Sequence, residues 1–383
     1  MTELSVTSVA GPVVCARRRC RWMRFAGRGA AFVAVSVIGL ELCLRVVLLN
    51  RLPILPFYIE QGRPALPASA HFTTWVEWHG ASEYWTDAYG ARVASRGKQN
   101  PASIQTGDIF VLGDSQALGY LMPFDQTFGS QLAKRVLGDA ARVRILAAPG
   151  MDPVSELAAL RGYQSAVNLR RPRLAVMVLN LGNDLDELFF AGLGGGERDT
   201  SSSTRWLMMH SRLFAEWISI HTIYFSRDGW TGVNPILYNL DAAERVFLAR
   251  QAIGVLEQQA ADLHRAHLNG AEHVAFVIVP APFQVDSRLF ERYRKNFASN
   301  QVFEEWNSRI DDFAGMMDAL DRFIARQLCK DGFDCVQVSE LARNDGPGAK
   351  WFVQDTDHLT AYGHEKVADA LARLVFPPAA ERR

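Results

Sequence analysis

A serine stands directly after an apolar run, where Ile109-Phe110-Val111-Leu112 leads into Gly113-Asp114-Ser115-Gln116. Far down the chain, Asp355-Thr356-Asp357-His358 sets an acid three residues before a histidine, so one turn brings both side chains to the same side. A serine hydroxyl is a poor nucleophile until an imidazole takes its proton, and the imidazole needs an acid to fix its tautomer. Together these residues could perform nucleophilic acyl transfer, with Ser115 as nucleophile, His358 as base and Asp355 as orienting acid. Asp357, an immediate neighbour of the histidine, points elsewhere. His358 is preferred over the other histidines because of its suitably spaced acid, and His364 reads as a surface or helix residue. Two competing uses are weighed. Ser115 sits where a helix N-cap would. Asp355, Asp357, His358 and His364 are metal-ligand types, but their spacing matches no ligand motif.

Such groups need a frame. Short, β-branched apolar runs at 109–112, 143–147, 174–179 and 273–279 predict strands buried on both faces. Helical periodicity fits 125–137, 153–168, 242–268, 302–328 and 361–375. This alternation predicts a doubly wound parallel α/β sheet, which binds ligands at the carboxyl ends of its strands.

The order of the motifs resembles the SGNH (GDSL) hydrolases, in their membrane-anchored bacterial form. Gly113-Asp114-Ser115 with Gly119 resembles the first block of that family, and Ala148-Pro149-Gly150-Met151-Asp152 the glycine block. Leu181-Gly182-Asn183-Asp184 resembles the third block, with Leu181 where a glycine is usual, and Asp355 to His358 with Leu359-Thr360 and Gly363 the fourth. The resemblance organises residues 105–376 and implies a flavodoxin-like sheet of about five strands. It implies an ester hydrolase working through an acyl-enzyme without a cofactor. The oxyanion donors would be the backbone N–H of Ser115, the backbone N–H of Gly150 and the side-chain amide of Asn183, with Asp114 holding the turn. Each such donor is worth about 3–4 kcal/mol in a transition state. Ser115, Gly150 and Asn183 each fall just past a predicted strand. The substrate implied is an acyl ester, an acetyl ester on an envelope or exported polysaccharide. Two alternatives are kept: O-acetyl transfer to a polysaccharide by the same triad, and a non-catalytic envelope assembly protein. The absence of any Gly-x-Ser-x-Gly disfavours the α/β-hydrolase elbow.

Composition sets the compartment. Lys plus Arg and Asp plus Glu each number 41 in 383 residues, so nothing in the net charge favours nucleic acid. The N-terminus differs: Arg17, Arg18, Arg19, Arg21, Arg24 and Arg28 precede an apolar run over 29–49, long enough to cross a bilayer. Residues 1–28 are expected as a disordered basic tail in the cytoplasm, 29–49 as a single-pass inner-membrane anchor, and the rest as periplasmic. Glu41 and Arg45 sit four apart inside the span, either as a local pair or as a contact to another membrane subunit.

Prolines at 53, 56, 64 and 67 predict a stiff linker over 50–70. An aromatic-rich lead-in follows to 104, either covering the sheet edge or offering a sugar-stacking platform. Its stretch Tyr84 to Arg92 resembles a segment ahead of the Ser block in membrane-anchored family members. Segment 190–235 interrupts the alternation. Trp206, Met209, Leu213, Trp217, Ile220 and Tyr224 recur there at helical spacing, as the core face of a helix or as a lid. Cys329 and Cys335 flank a turn-like stretch in the exported part, where a disulfide is plausible and a metal pair the lesser alternative.

Overall fold

The computed structural model describes residues 12–47, 51–52, 58–60, 63–76, 80–100, 108–120, 122–166, 172–185, 188, 201–214, 217, 242–265, 273–286, 289, 291, 310–330, 333–346, 350–353 and 358–377. Asp355 and Asp357 lie outside the described residues.

Five parallel strands form the centre: β7 (Ile109–Gly113), β8 (Val143–Ala147), β9 (Leu174–Asn180), β10 (His273–Val279) and β11 (Asp334–Gln337). They lie in the order β8-β7-β9-β10-β11, the flavodoxin-like 2-1-3-4-5 arrangement with its switch point between β7 and β9. Every residue of β7, β8 and β9 is buried. Burial on both faces requires helices on both. Phe110 packs on Tyr163 of α4 (Pro153–Ala166), ring centroids 5.5 Å apart. Its neighbour Val111, pointing the other way, lies under Gly129 of α3 (Phe128–Leu137), where a Cβ would come within 3.1 Å of Val111 Cγ2. Helices α6 (Ala242–Arg265) and α7 (Ile310–Lys330) join the α4 side, and α9 (Ala361–Val375) packs along α3. The short helix α8 (Val338–Asp345) follows β11.

The sheet continues beyond the expected strands. β6 (Arg92–Val93) runs antiparallel to β8, β5 (Gly80–Thr86) pairs with β6, and β4 (His71–Val76) with β5. Phe72, Trp75, Tyr84 and Trp85 of the lead-in therefore belong to strands of this sheet, and Phe72 and Tyr84 are buried and stacked, 5.4 Å apart. The stretch expected as a stiff linker carries strands too. β1 (Arg51–Leu52) pairs with β4, and β2 (Tyr58–Glu60) pairs with β3 (Arg63–Ala65). Leu66 and Pro67 are buried, and the Thr86 hydroxyl donates to the Pro67 carbonyl.

Helix α1 runs from Pro12 to Val47, so residues 12–28 are helical where a disordered tail was expected. Arginine is a good helix former, and proline suits a first helical position. Arg28–Val46 is apolar and long enough to cross a membrane. In the insertion, α5 (Ser202–His210) ends at Ser211. Trp206 and Trp217 are 59% and 56% exposed, which corrects their reading as the core face of one helix. Cys329 at the end of α7 is bonded to Cys335 on β11, the Cα atoms 5.7 Å apart.

Candidate active site

The loop that carries Ser115 is set by glycines and a cap. Gly113 ends β7 at φ 156°, where an added Cβ would meet Ala117 Cβ at 2.5 Å and Val178 Cβ at 2.9 Å. The next four residues form α2 (Ser115–Leu118), and Asp114, not Ser115, is its N-cap: the carboxylate accepts the Gln116 N–H at 2.8 Å. This removes the capping role weighed for Ser115. The same carboxylate accepts Asn180 Nδ2–H at 2.9 Å and is 3.4 Å from Ser115 Oγ, which donates to it. Helix α2 ends at Gly119 in the left-handed region, φ 63°, where a Cβ would meet Thr127 Cγ2 at 2.5 Å.

Arg92, on β6, closes that helix from beneath. Its side chain is fully buried, and Nη1 donates to the carbonyls of Leu118 (2.7 Å) and Gly119 (3.0 Å). Nη2 donates to Met122 (2.6 Å) and Glu83 (3.3 Å). The guanidinium stacks on Tyr84, 3.8 Å from the ring centroid. A helix C-terminus presents orphan carbonyls and negative partial charge, and this cation satisfies both.

His358 arrives from the other end of the chain. Its carbonyl accepts the Val353 N–H at 2.9 Å, and Phe352 bridges Leu359. The Leu359 N–H donates to Gln116 Oε1 at 3.1 Å, across 243 residues of chain. Residues adjacent to Ser115 and to His358 are thus hydrogen-bonded to each other. Tyr120 packs on the His358 ring, centroids 4.8 Å apart. The expected orienting acid, Asp355, lies outside the described residues, as does Asp357.

Strand register brings the expected oxyanion residues to one edge. Gly113 pairs with Ala147, so β7 and β8 end level, and Leu112 pairs with Met177, so β9 runs two residues further to Asn180 at the same edge. Ser115 follows its strand by two residues, and Gly150 and Asn183 follow theirs by three. Gly150 is exposed at φ 73°, a conformation suited to glycine and open to close approach. Asp152 steadies this turn by accepting the Val154 and Ser155 N–H groups at 2.7 and 3.1 Å. On the Asn183 side, Asn180 Oδ1 accepts the Gly182 N–H at 3.0 Å, and Asp184 accepts the Asn180 N–H at 2.7 Å. Asn180 therefore links the Ser and Asn blocks, a role visible in the sequence only as its place three residues before Asn183.

His364 is not a surface residue. It is buried on α9 and its Nδ1 accepts the Phe128 N–H at 3.2 Å, which places its proton on Nε2. Burial, with Arg92 and His358 nearby, pushes its pKa down to about 3. In the folded state it stays neutral, whereas the unfolded chain protonates it near 6.5. Its contribution to stability is therefore present above 6.5 and is lost as pH falls from there towards 3. That loss is about 2 kcal/mol between pH 7 and 5. Urea denaturation at the two pH values checks this: the His364→Gln variant should show a pH dependence smaller by that amount.

Beside the Gly150 turn lies a cavity of 340 Å³, lined by Leu66, Ala88, Gly90, Ala148, Met151 and Tyr163 among others. Its wall is pinned by the Tyr163 hydroxyl, which donates to Asp87 at 2.7 Å. Burial pushes the Asp87 carboxyl up despite this bond, and pushes the Tyr163 phenol up as well. Asp87 also accepts the Tyr89 and Ala91 N–H groups, fixing the turn between β5 and β6.

No protein-family model matches the sequence, and no curated protein matches it either. Among solved structures, the chain is similar to a member of the lipolytic protein G-D-S-L family from Veillonella parvula, at 12% identity and TM-score 0.39, over 70% of this chain and 97% of that one. It is similar to AlinE4, an SGNH-hydrolase family esterase, at 16% identity and TM-score 0.32, over 71% and 95% of the two chains. It is also similar to a catalytic mutant of Axe2, an acetylxylan esterase from Geobacillus stearothermophilus, at 11% identity and TM-score 0.37, over 73% and 99%.

Proposed function

We propose that this chain is a membrane-anchored serine ester hydrolase with Ser115 as nucleophile and His358 as base. One observation carries it: the hydrogen bond from the Leu359 N–H to Gln116 Oε1, which joins the serine block to the histidine block at the carboxyl edge of the sheet. Ser115 Oγ attacks the ester carbonyl and its proton passes to His358. The alkoxide that develops is met by the N–H groups of Ser115 and Gly150 and by the Asn183 amide. His358 then protonates the leaving alcohol, and water, activated by the same imidazole, releases the acid from Ser115. Asp355 is assigned the task of holding the His358 tautomer. An acetyl ester on an exported or envelope polysaccharide is the substrate class we assign. The arginines before Arg28–Val46 support an anchor with its N-terminus in the cytoplasm and the catalytic domain in the periplasm of a bacterial cell.

The test is the full chain in detergent with a chromogenic acetyl ester, with and without a polysaccharide acceptor. Release of free acetate that is abolished by a fluorophosphonate is the expected result. Acetate appearing on the acceptor instead would make the protein a transferase, and loss of turnover on chelation would overturn the serine mechanism.

A further inference from the structure

A carboxylate inside an apolar span is costly, and so are unpaired backbone N–H groups at membrane depth. In this chain each meets the other. Glu41 lies five residues before the end of the apolar stretch Arg28–Val46, about 7.5 Å along the helix axis. Its carboxylate accepts the N–H groups of Arg212 (2.7 Å) and Leu213 (2.8 Å) and the Ser211 hydroxyl (3.1 Å). Arg45, paired with Glu41 at 2.8 Å, also donates to the His210 carbonyl. The local pair, one of the two readings of Glu41 and Arg45, is present, and the chain's own insertion joins it.

We infer that residues 202–214, with Trp217, form a membrane-seated element, docked on the anchor helix through Glu41 and buried in the lipid interface. The inference rests on the reading of α1 as a membrane anchor. If Arg28–Val46 crosses the bilayer, the backbone at 211–213 must sit at the depth of Glu41, because three direct hydrogen bonds allow no other place. The break after His210 would strand N–H groups in lipid, and Glu41 supplies their acceptor. The element is dressed for that place. Trp206 and Trp217 project outward, 59% and 56% exposed, and an indole is the side chain favoured at the headgroup boundary. Trp206 stacks on His210, centroids 4.9 Å apart, which keeps an amphipathic pair at the surface of α5. The partner is a lipid bilayer rather than a protein groove, because the exposed aromatics flank a segment already tied to the span.

The experiment uses the full chain reconstituted in vesicles of phosphatidylcholine and phosphatidylglycerol, with Cys15, Cys20 and Cys43 replaced by serine. Trp206→Cys carries an environment-sensitive fluorophore, and some vesicles contain lipid with a doxyl quencher near the headgroup. Quenching of about twofold or more is expected, as for a group seated 5–10 Å into the interface. Glu41→Ala should abolish that quenching while the protein stays in the vesicle fraction. Independently, a Glu41→Cys, Ser211→Cys pair should cross-link on oxidation in the membrane. Membrane-retained protein with an unquenched probe, or with equal quenching in Glu41→Ala, overturns the docking and leaves the anchor intact. Protein released by carbonate and lacking residue 41 overturns both.

Discussion

Replacing Ser115 by alanine is expected to abolish capture by a fluorophosphonate and to lower ester turnover by about three to six orders of magnitude. His358→Ala should cost nearly as much, and the double variant little more than either single one. That non-additivity is the signature of a nucleophile and base acting as one unit, as the proposed mechanism requires. The cap of α2 is Asp114, and Ser115 adds to it only one long hydrogen bond of 3.4 Å, so its loss should disturb the helix start little. The Ser115→Ala protein should therefore melt at the parent temperature, which separates lost chemistry from lost fold. Asp355→Asn should cost less than Ser115→Ala, because serine and imidazole both remain but the productive tautomer is disfavoured. Asn183→Ala should lower kcat about a hundredfold with little change in KM, since its amide matters only once the oxyanion forms. Turnover that survives Ser115→Ala would sink the assignment.

Much of the frame was legible because apolar, β-branched runs signal buried parallel strands without reference to the rest of the chain. The strands at 143–147 and 273–279 and the helix at 361–375 have the expected ends. The N-terminal strands were not legible, for a physical reason. Their inward positions include Thr74, Ser82 and Thr86, polar residues that the alternation test scores as outward. Thr86 tolerates burial because its hydroxyl donates to the Pro67 carbonyl, a partner no local window reveals. β11 has one fully buried residue, Val336, too little apolar signal to register. The functional blocks were legible as types and spacings, whereas their supports were not. His364 is held by the backbone of Phe128, 236 residues away, and Asn180 by the cap of a helix on another strand. The insertion misled in the opposite direction, because aromatics at helical spacing face lipid as readily as they face a core.

The second large effect is expected at Arg92, which touches no reacting atom and acts by positioning. Arg92→Met keeps most of the stem but removes the donors to the carbonyls of Leu118, Gly119, Met122 and Glu83. A buried carbonyl left without a donor costs about 1–3 kcal/mol. The Gly119 carbonyl keeps the Met122 N–H at 3.1 Å and the Tyr84 hydroxyl at 3.4 Å, so the loss falls chiefly on the buried carbonyls of Leu118 and Met122. The variant should lose about 3–5 kcal/mol of stability, read as a lower urea midpoint. Arg92→Lys should be intermediate, since one ammonium cannot span four acceptors that a planar fork reaches. The effect on catalysis is distinguishable from the effect on folding. The helix that Arg92 closes is one turn long and begins with Ser115, the proposed nucleophile, so a shift at its end is transmitted to that side chain. A displacement of about 1 Å costs on the order of a hundredfold in rate. At a temperature where Arg92→Lys is fully folded, kcat should fall and KM stay near the parent value, with fluorophosphonate labelling slowed in proportion. A variant that is destabilised yet labels and turns over at the parent rate would show that Arg92 supports the sheet edge alone and does not set the nucleophile.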